Sequence, residues 1–383
     1  MKQSERKRIR FGVIGLGLMG REFASAVARW CHLLGDGPVP VITAICSGRQ
    51  ASQTWFTDNF ESIRLAVTDP AELLASSAVD AVYCAVPHHL HAALYRDILR
   101  AGKHLLGEKP FGIDQAANDA ILAEVRNRPD LIVRCSSEFP YYPGAQHLIR
   151  WLNERRYGRL MEVRAGFHHA SDMDLDKPIN WKRQVEFNGA YGVMGDLGMH
   201  VQHIPFRCGW FPKTVYAGLL NIAPQRPDST GRQVPCETWD NATLLCRCLD
   251  PEHGTEFQMM LETKRMAPGQ TNTWFVEVYG TEGSAMYSTH DPKAFWTLQT
   301  RGREQGWTRL DVGAASALPG ITGAIFETGF SDAFQQMLGA YMREFGGESP
   351  DCFQTVLPEE TALSHRLLTA ALESHEIQGV VAV

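Results

Sequence analysis

The chain has 383 residues, more than one hydrophobic core usually serves, so two domains are expected. Its 37 basic and 43 acidic residues leave a formal charge of -6, which speaks against a broad basic surface for nucleic acid. No stretch approaches about 18 uninterrupted apolar residues, so no membrane-spanning helix is expected and a cytoplasmic location is the working expectation. Residues 1–26 superficially imitate a secretory signal, with a basic start, an apolar run and Ala24, Ser25, Ala26. Three glycines break that run and Arg21 and Glu22 follow it directly, so a structural role for the glycines is the better reading.

Residues 1–137 alternate short β-branched runs, at 9–15, 39–46, 64–67, 79–86, 104–107 and 131–135, with helical patterns. Nearly continuous apolar strands joined by helices predict an α/β domain with a doubly wound parallel sheet. The first strand runs into Gly15-x-Gly17-x-x-Gly20, with Leu18 and Met19 opening an amphipathic helix. Gly15 permits the tight turn, Gly17 lets the backbone approach a pyrophosphate, and Gly20 allows close helix packing, while the helix N-terminus offers N–H groups to the phosphates. Alone, such glycines also occur in ordinary turns. The strand before and the helix after favour the nucleotide, so residues 1–137 are expected to form a Rossmann-type NAD(P)-binding domain.

The second strand of such a domain normally ends in an Asp or Glu for the adenosine ribose, whereas this one ends Cys46, Ser47, Gly48, Arg49. A hydroxyl and a guanidinium without a carboxylate suit a 2′-phosphate, which tilts the cofactor from NAD toward NADP; a merely solvated Arg49 is the alternative. Residues 79–110 then read as a strand, a turn at Pro87 with His88 and His91 beyond it, a helix, and a second strand ending at Glu108, Lys109 and Pro110. Ligands bind outside the carboxyl ends of parallel strands, where both turns fall. A strand-end lysine is usually solvated, but here it adjoins the expected nicotinamide position.

After about residue 139 the pattern changes, and residues 138–383 predict an α+β domain for substrate binding and oligomerisation. Residues 160–167 alternate, with Met161, Val163, Ala165 and Phe167 on one side and Glu162, Arg164 and Gly166 on the other. Segments 239–248, 257–263, 275–280 and 295–300 follow without long helices between them. They predict a large, mostly antiparallel sheet with one face on helices and an open face for substrate or a second copy, hence a homodimer or homotetramer. Residues 172, 174 and 176, all Asp, read as a solvated loop and 223–235 as a surface loop, while helical periodicity returns at 331–345 and 358–374.

Asp196, His200 and His203 share one face if a helix begins near Asp196. Three readings stay open: an acid–base group, a metal site lacking further ligands, or histidines satisfied in a packed helix. No metal is the expectation. Trp181 and Lys182 just upstream, His203 on the helix, and His168 and Arg164 on the open sheet face are candidate substrate contacts, although Trp181 could equally be core. The nine cysteines contain no C-x-x-C pair; Cys246 and Cys248 point to one strand face, and buried thiols in a reducing compartment are favoured over a shared metal.

Together these motifs resemble the Gfo/Idh/MocA oxidoreductase family over nearly the whole chain. Residues 85–110 resemble its signature, Gly195 to His203 its D-x-G-x-H motif, 275–284 a second-domain strand, and 358–374 its closing helix. The resemblance implies Lys109, Asp196 and His200 as the catalytic group, with Glu108 and the Pro87 turn on the nicotinamide side. Two positions depart from the family pattern: His203 stands where an acid is common, and His88 where Asn is common.

The expected activity is NAD(P)-dependent hydride transfer to or from a sugar, polyol or related cyclic alcohol or ketone. His200 would exchange the hydroxyl proton, Lys109 would hydrogen-bond the same oxygen, and Asp196 would hold the lysine or the histidine. A nicotinamide-binding sensor without turnover and an NAD-dependent glycosidase of the same fold are the alternatives. Retention of Lys109, Asp196 and His200 argues against the first.

Overall fold

The computed structural model describes residues 6–300, 302–313, 317–322, 327–348 and 355–383; Cys352 lies outside them. The chain divides into two compact units, 1–112 with 116–142 and 314–359, and 113–115 with 143–313 and 360–383.

In the first unit, β1 (Arg8–Ile14), α1 (Leu18–Ala28), β2 (Val39–Cys46), α2 (Thr54–Asn59), β3 (Leu65–Val67), α3 (Pro70–Ala75), β4 (Ala81–Cys84), α4 (His91–Arg100), β5 (His104–Gly107), α5 (Gln115–Asn127) and β6 (Val133–Cys135) follow one another. The sheet order is β3-β2-β1-β4-β5-β6, parallel throughout. Strands buried on both faces explain the unbroken apolar runs: Phe11, Val13, Val82, Tyr83 and Cys84 have no exposed surface. The order reverses between β1 and β4, the position at which a doubly wound sheet opens a crevice beyond its strand ends.

The second unit contains α6 (Pro143–Asn153), β7 (Leu160–His168), α7 (Val185–Asn188), α8 (Val193–Arg207), β8 (Pro212–Leu220), β9 (Gln225–Pro227), β10 (Gln233–Pro235), β11 (Asn241–Leu249), β12 (Glu256–Lys264), β13 (Thr273–Gly280), β14 (Gly283–Ser288), β15 (Ala294–Gln299) and β16 (Trp307–Asp311). After α9 (Phe330–Glu344) come α10 (Pro358–Ile377) and β17 (Val381–Ala382). The sheet order is β16-β15-β14-β13-β7-β12-β11-β8-β17, antiparallel except where β7 runs parallel to β12. Val163, Ala165, Phe167, Met259 and Leu261 form a buried face. Against it lies α8, with the Trp274 Nε1–H donating to the His200 carbonyl at 2.8 Å. Glu162, Arg164, Lys264 and Tyr279 line the opposite face, as the two-residue period requires.

Several expectations need correction. Residues 314–359 belong with the first unit, not with a second domain spanning 138–383. The amide of Gln335 on α9 donates to the carbonyls of Ala26 and Arg29 at 3.2 and 2.7 Å, and Arg29 pairs with Asp332 at 2.8 Å. Met161 does not share the buried face: it is 58 % exposed, because β13 skips it, pairing Tyr279 with Glu162 and Gly280 with Leu160. Residues 223–235 form a small hairpin of β9 and β10 rather than a plain loop, anchored by buried Arg226, which donates to the Asp172 carbonyl at 2.6 Å. Asp172 is itself buried beside Arg183; Asp174 and Asp176 are exposed as expected.

On α8, fully buried His203 bonds Glu360 of α10 through Nδ1 at 2.9 Å, and Arg207 bonds the other Glu360 oxygen at 2.6 Å. Burial alone would lift the Glu360 carboxyl, but His203 and Arg207 outweigh it and bring it down to about 2. Its contribution to stability is therefore present above its ordinary 4.5 and lost as pH falls through 2. Glu360→Ala should destabilise the protein by about 3–5 kcal/mol at neutral pH, since the Arg207 guanidinium and the buried His203 ring both lose their partner. Urea denaturation at pH 7 and near pH 3 tests this: the gap between variant and wild type should shrink in acid, and an unchanged gap would contradict the assignment.

Candidate active site

In the first unit the glycine positions have distinct steric reasons. Gly15 lies at φ +94°, and a Cβ there would stand 2.2 Å from the Ala85 carbonyl oxygen. A Cβ on Gly20 would stand 2.3 Å from the Gly15 carbonyl oxygen, so helix and turn pack too closely for any side chain. Gly17, at the start of α1, would point a Cβ into open space. Only this glycine is explained by what must approach from outside, and the backbone around it fits a dinucleotide pyrophosphate. Leu18 is 82 % exposed and Met19 half-buried on the first turn.

Beyond β2, Ser47 is half-buried and Arg49 exposed, the Arg49 N–H donating to Ser47 Oγ at 3.3 Å. Asp69, the nearest downstream acid after β3, accepts from the Ala71 N–H at 2.9 Å as the cap of α3. Beyond β4, Pro87 is extended and leads into buried His88. His91 does not reach a position from which its ring can touch a cofactor. It has no exposed surface, stacks on Tyr95 at 4.7 Å, and bonds the Val86 carbonyl through Nε2 at 3.0 Å. Its role is to hold the turn that carries Pro87 and His88.

At the end of β5 the Glu108 carboxylate accepts from Tyr83 at 2.7 Å, and the Glu108 carbonyl accepts from Tyr95 at 2.8 Å. Burial raises the Glu108 carboxyl, and the adjacent Lys109 charge opposes the rise. Lys109 is half-buried. A residue outside the sequence expectations joins this cluster: buried Glu138, after β6, is pushed up to about 8, first by burial and then by the charge of Glu108, with Lys109 pulling the other way. One amine thus stands among two buried carboxyls, a setting that orients an ammonium for hydrogen bonding.

In the second unit Gly189 and Gly192 lie at φ +83° and +59° and turn the chain into α8. The expected helix does place Asp196 and His200 one turn apart, on a segment buried from Val193 to Phe206. Both Asp196 oxygens accept from Lys182 Nζ, at 3.0 and 2.9 Å, and Oδ2 also accepts from Arg265 at 3.1 Å. Lys182 follows half-buried Trp181, whose ring it approaches at 5.7 Å, in a turn where Asn180 accepts from the Lys182 N–H at 2.9 Å. The His200 ring stands edge-on to Phe167 at 5.5 Å and is 5 % exposed.

Three expected substrate contacts are not brought to this group. Arg164 and His168 are on the sheet face opposite Phe167, where Arg164 pairs with Glu162 at 2.6 Å and His168 approaches Glu262 at 3.5 Å. His203 is held inside by Glu360. His168 instead lines a cavity of about 430 Å³ with Leu220, Asn241, Thr243 and Lys264. Cys246 and Cys248 are buried, and burial raises both thiols, Cys248 to about 12. Among the described residues no group of three or more His, Cys, Asp or Glu could hold a metal ion.

Residues 9–134 match the family model described as an oxidoreductase family with an NAD-binding Rossmann fold, and residues 145–286 match that of the GFO/IDH/MocA C-terminal domain. A levoglucosan dehydrogenase of Pseudarthrobacter phenanthrenivorans is 24% identical over 299 residues, 74% of each chain. A D-xylose dehydrogenase of Paenarthrobacter nicotinovorans is 25% identical over 287 residues, 69% of this chain and 70% of that one. The solved structure of a levoglucosan dehydrogenase in complex with NADH and L-sorbose has the same fold, with a TM-score of 0.85 at 20% identity over 98% of this chain and 99% of that one.

The elevated Glu138 carboxyl has a consequence for stability. Its folded value of about 8 exceeds the ordinary 4.5, so its contribution is full below 4.5 and is lost as pH rises through 8. Glu138→Gln should flatten the fall in melting temperature between about pH 5 and pH 8 and leave the variant the more stable protein at the upper end. Thermal unfolding followed across that range checks this, and parallel profiles for the two proteins would contradict it.

Proposed function

The chain belongs to the Gfo/Idh/MocA oxidoreductase family, and on that premise we propose that it is a nicotinamide-dependent dehydrogenase or reductase acting on a sugar, polyol or related cyclic alcohol or ketone. The observation that carries the proposal is Asp196, ionically clamped one helical turn before His200. It occurs in a chain whose other unit supplies the glycine cradle and Lys109. When bound, the nicotinamide supplies the hydride acceptor or donor. His200 takes the proton of the reacting hydroxyl in oxidation and returns it to the oxygen in reduction. Lys109, oriented among Glu108 and Glu138, donates to the substrate oxygen and stabilises its developing negative charge. Asp196 forms ion pairs with Lys182 and Arg265, neither of them the Lys109 expected from the sequence, so its part in the reaction is to hold Lys182. The half-buried Trp181 and Lys182 offer an apolar ring and a cation, a combination suited to a sugar.

The names of the relatives, levoglucosan dehydrogenase and D-xylose dehydrogenase, support this substrate class. For the cofactor, the chain's own residues favour NADP: no carboxylate follows β2, and Arg49 is exposed beside Ser47. The NADH complexes of the solved relatives make NAD the competitor. A homodimer or homotetramer through the open sheet face is supported by Tyr216 and Leu245, paired across β8 and β11 and each more than two-fifths exposed; a monomer mass by light scattering would contradict it. The eight described cysteines are all free thiols, which supports a reducing, cytoplasmic location. No helix among the described residues is long and apolar enough to cross a membrane.

The reading is tested by nicotinamide absorbance with a panel of anhydrosugars, aldoses, inositols and keto-sugars, using NADP and NAD in both directions. Turnover is expected, with NADP preferred. His200→Ala should lower kcat about 10²- to 10⁴-fold while leaving cofactor affinity nearly unchanged. Tight cofactor binding with no turnover of any member, or a His200→Ala rate equal to wild type, would count against the proposal.

A further inference from the structure

Arg265 follows β12 in a stretch with no motif around it, yet its side chain is buried and grips two functional positions together. Its Nη2 donates to Asp196 Oδ2 at 3.1 Å, and its Nη1 donates to the Lys182 backbone carbonyl at 3.2 Å. The Arg265 main-chain N–H donates to the Asp240 carbonyl at 2.9 Å. The Asp240 carboxylate in turn accepts from Arg183, next to Lys182 in the chain, and from the N–H groups of Ile222 and Ala223 at 2.7 and 2.8 Å. Thr238 Oγ1 adds a second bond to the Lys182 carbonyl at 2.8 Å. The turn carrying Lys182 is therefore fastened through its backbone, while the Lys182 ammonium, on a side chain 39 % exposed, reaches both oxygens of Asp196.

We propose that Arg265 is the positioning residue of the substrate-side catalytic group, one guanidinium fixing the Asp196 carboxylate and the Lys182 backbone together so that the Lys182 ammonium stands at a set place one turn from His200. The proposal rests on the reading above that Asp196 and His200 serve the reaction. A guanidinium suits the task because its planar fork donates in two fixed directions from separate nitrogens, whereas a lysine ammonium would supply the same charge from a single nitrogen without that preset spacing. Arg265 also shares the Asp196 charge, so Lys182 does not neutralise it alone.

The test compares Arg265→Met and Arg265→Lys with wild type by steady-state kinetics and, independently of turnover, by NMR titration of ¹³C-dimethylated lysines, with the Lys182 resonance identified through Lys182→Arg. Arg265→Met should lower kcat by about 10- to 100-fold with a smaller change in KM. It should also raise the titration midpoint of Lys182, which then faces the Asp196 charge without Arg265 sharing it. Arg265→Lys should recover part of the lost kcat and most of the titration shift. It is also the variant to read if Arg265→Met does not fold, and wild-type kcat in it would contradict the need for both bonds. An unmoved Lys182 midpoint in folded Arg265→Met, or an unchanged kcat, overturns the inference. Asp196→Asn and His200→Ala in the same assay separate the two failures. If they retain wild-type turnover, the functional reading itself fails; if they lose it while Arg265→Met does not, only the role of Arg265 falls.

Discussion

A carboxylate on a helix buried from Val193 to Phe206 must be neutralised by its surroundings, and Asp196 on α8 imposes that requirement on much of the second unit. An unpaired charge at such depth would cost far more than a folded domain can spare. The compensating cations come from a turn fourteen residues earlier in the chain, at Lys182, and from the end of a sheet strand, at Arg265. Neighbouring buried pairs, Arg183 with Asp172 and Asp240, and Arg226 on backbone carbonyls of 172 and 174, extend the same principle. The desolvated guanidinium of Arg183 is pulled down to about 10, first by burial and then by Arg265, as expected where cations crowd. Such a lattice of charges adds little net stability over an apolar core, but it holds Asp196 and Lys182 in a geometry that hydrophobic packing could not specify.

The first unit treats charge differently. Glu108 and Glu138 are both buried carboxyls raised by desolvation, and the amine near them, Lys109, is only half-buried. Tyr83, stacked on Phe23 at 4.4 Å, fixes Glu108 through its hydroxyl, so the aromatic core beneath α1 sets the carboxylate beside Lys109. Packing of the nucleotide-binding sheet and orientation of the candidate catalytic amine are thus one problem in this unit.

What the sequence made legible follows from the range over which each constraint acts. The glycine turn, the Glu108-Lys109-Pro110 strand end and the helical phase of Asp196 and His200 are local, dictated by sterics and by periods of 2 and 3.6 residues, and the structure has them where the pattern puts them. Arg265 and Glu138 were not legible, because each acquires its role from a partner 30 or more residues away and neither sits in a recognisable motif. His91 and His203 look functional by residue type but are claimed by the Val86 carbonyl and by Glu360. Arg164 and His168 are kept from the Asp196 and His200 group for a reason the alternation of β7 already contains: they lie opposite Phe167, and Phe167 touches His200. Strand β8 escaped notice because its outward residues Tyr216 and Leu220 are as apolar as its buried Val215 and Leu219, which hides the two-residue period.

Direct hydride transfer with net reduction of the cofactor can be followed with a sugar or polyol substrate deuterated at the reacting carbinol carbon and mass and NMR analysis of the recovered nicotinamide. One deuterium is expected at the nicotinamide ring for each cofactor reduced, with the oxidised sugar released in equal amount. Sugar turnover without net reduced cofactor, or reduced cofactor free of deuterium, would contradict it and favour a hydrolytic use of the nicotinamide on the same fold.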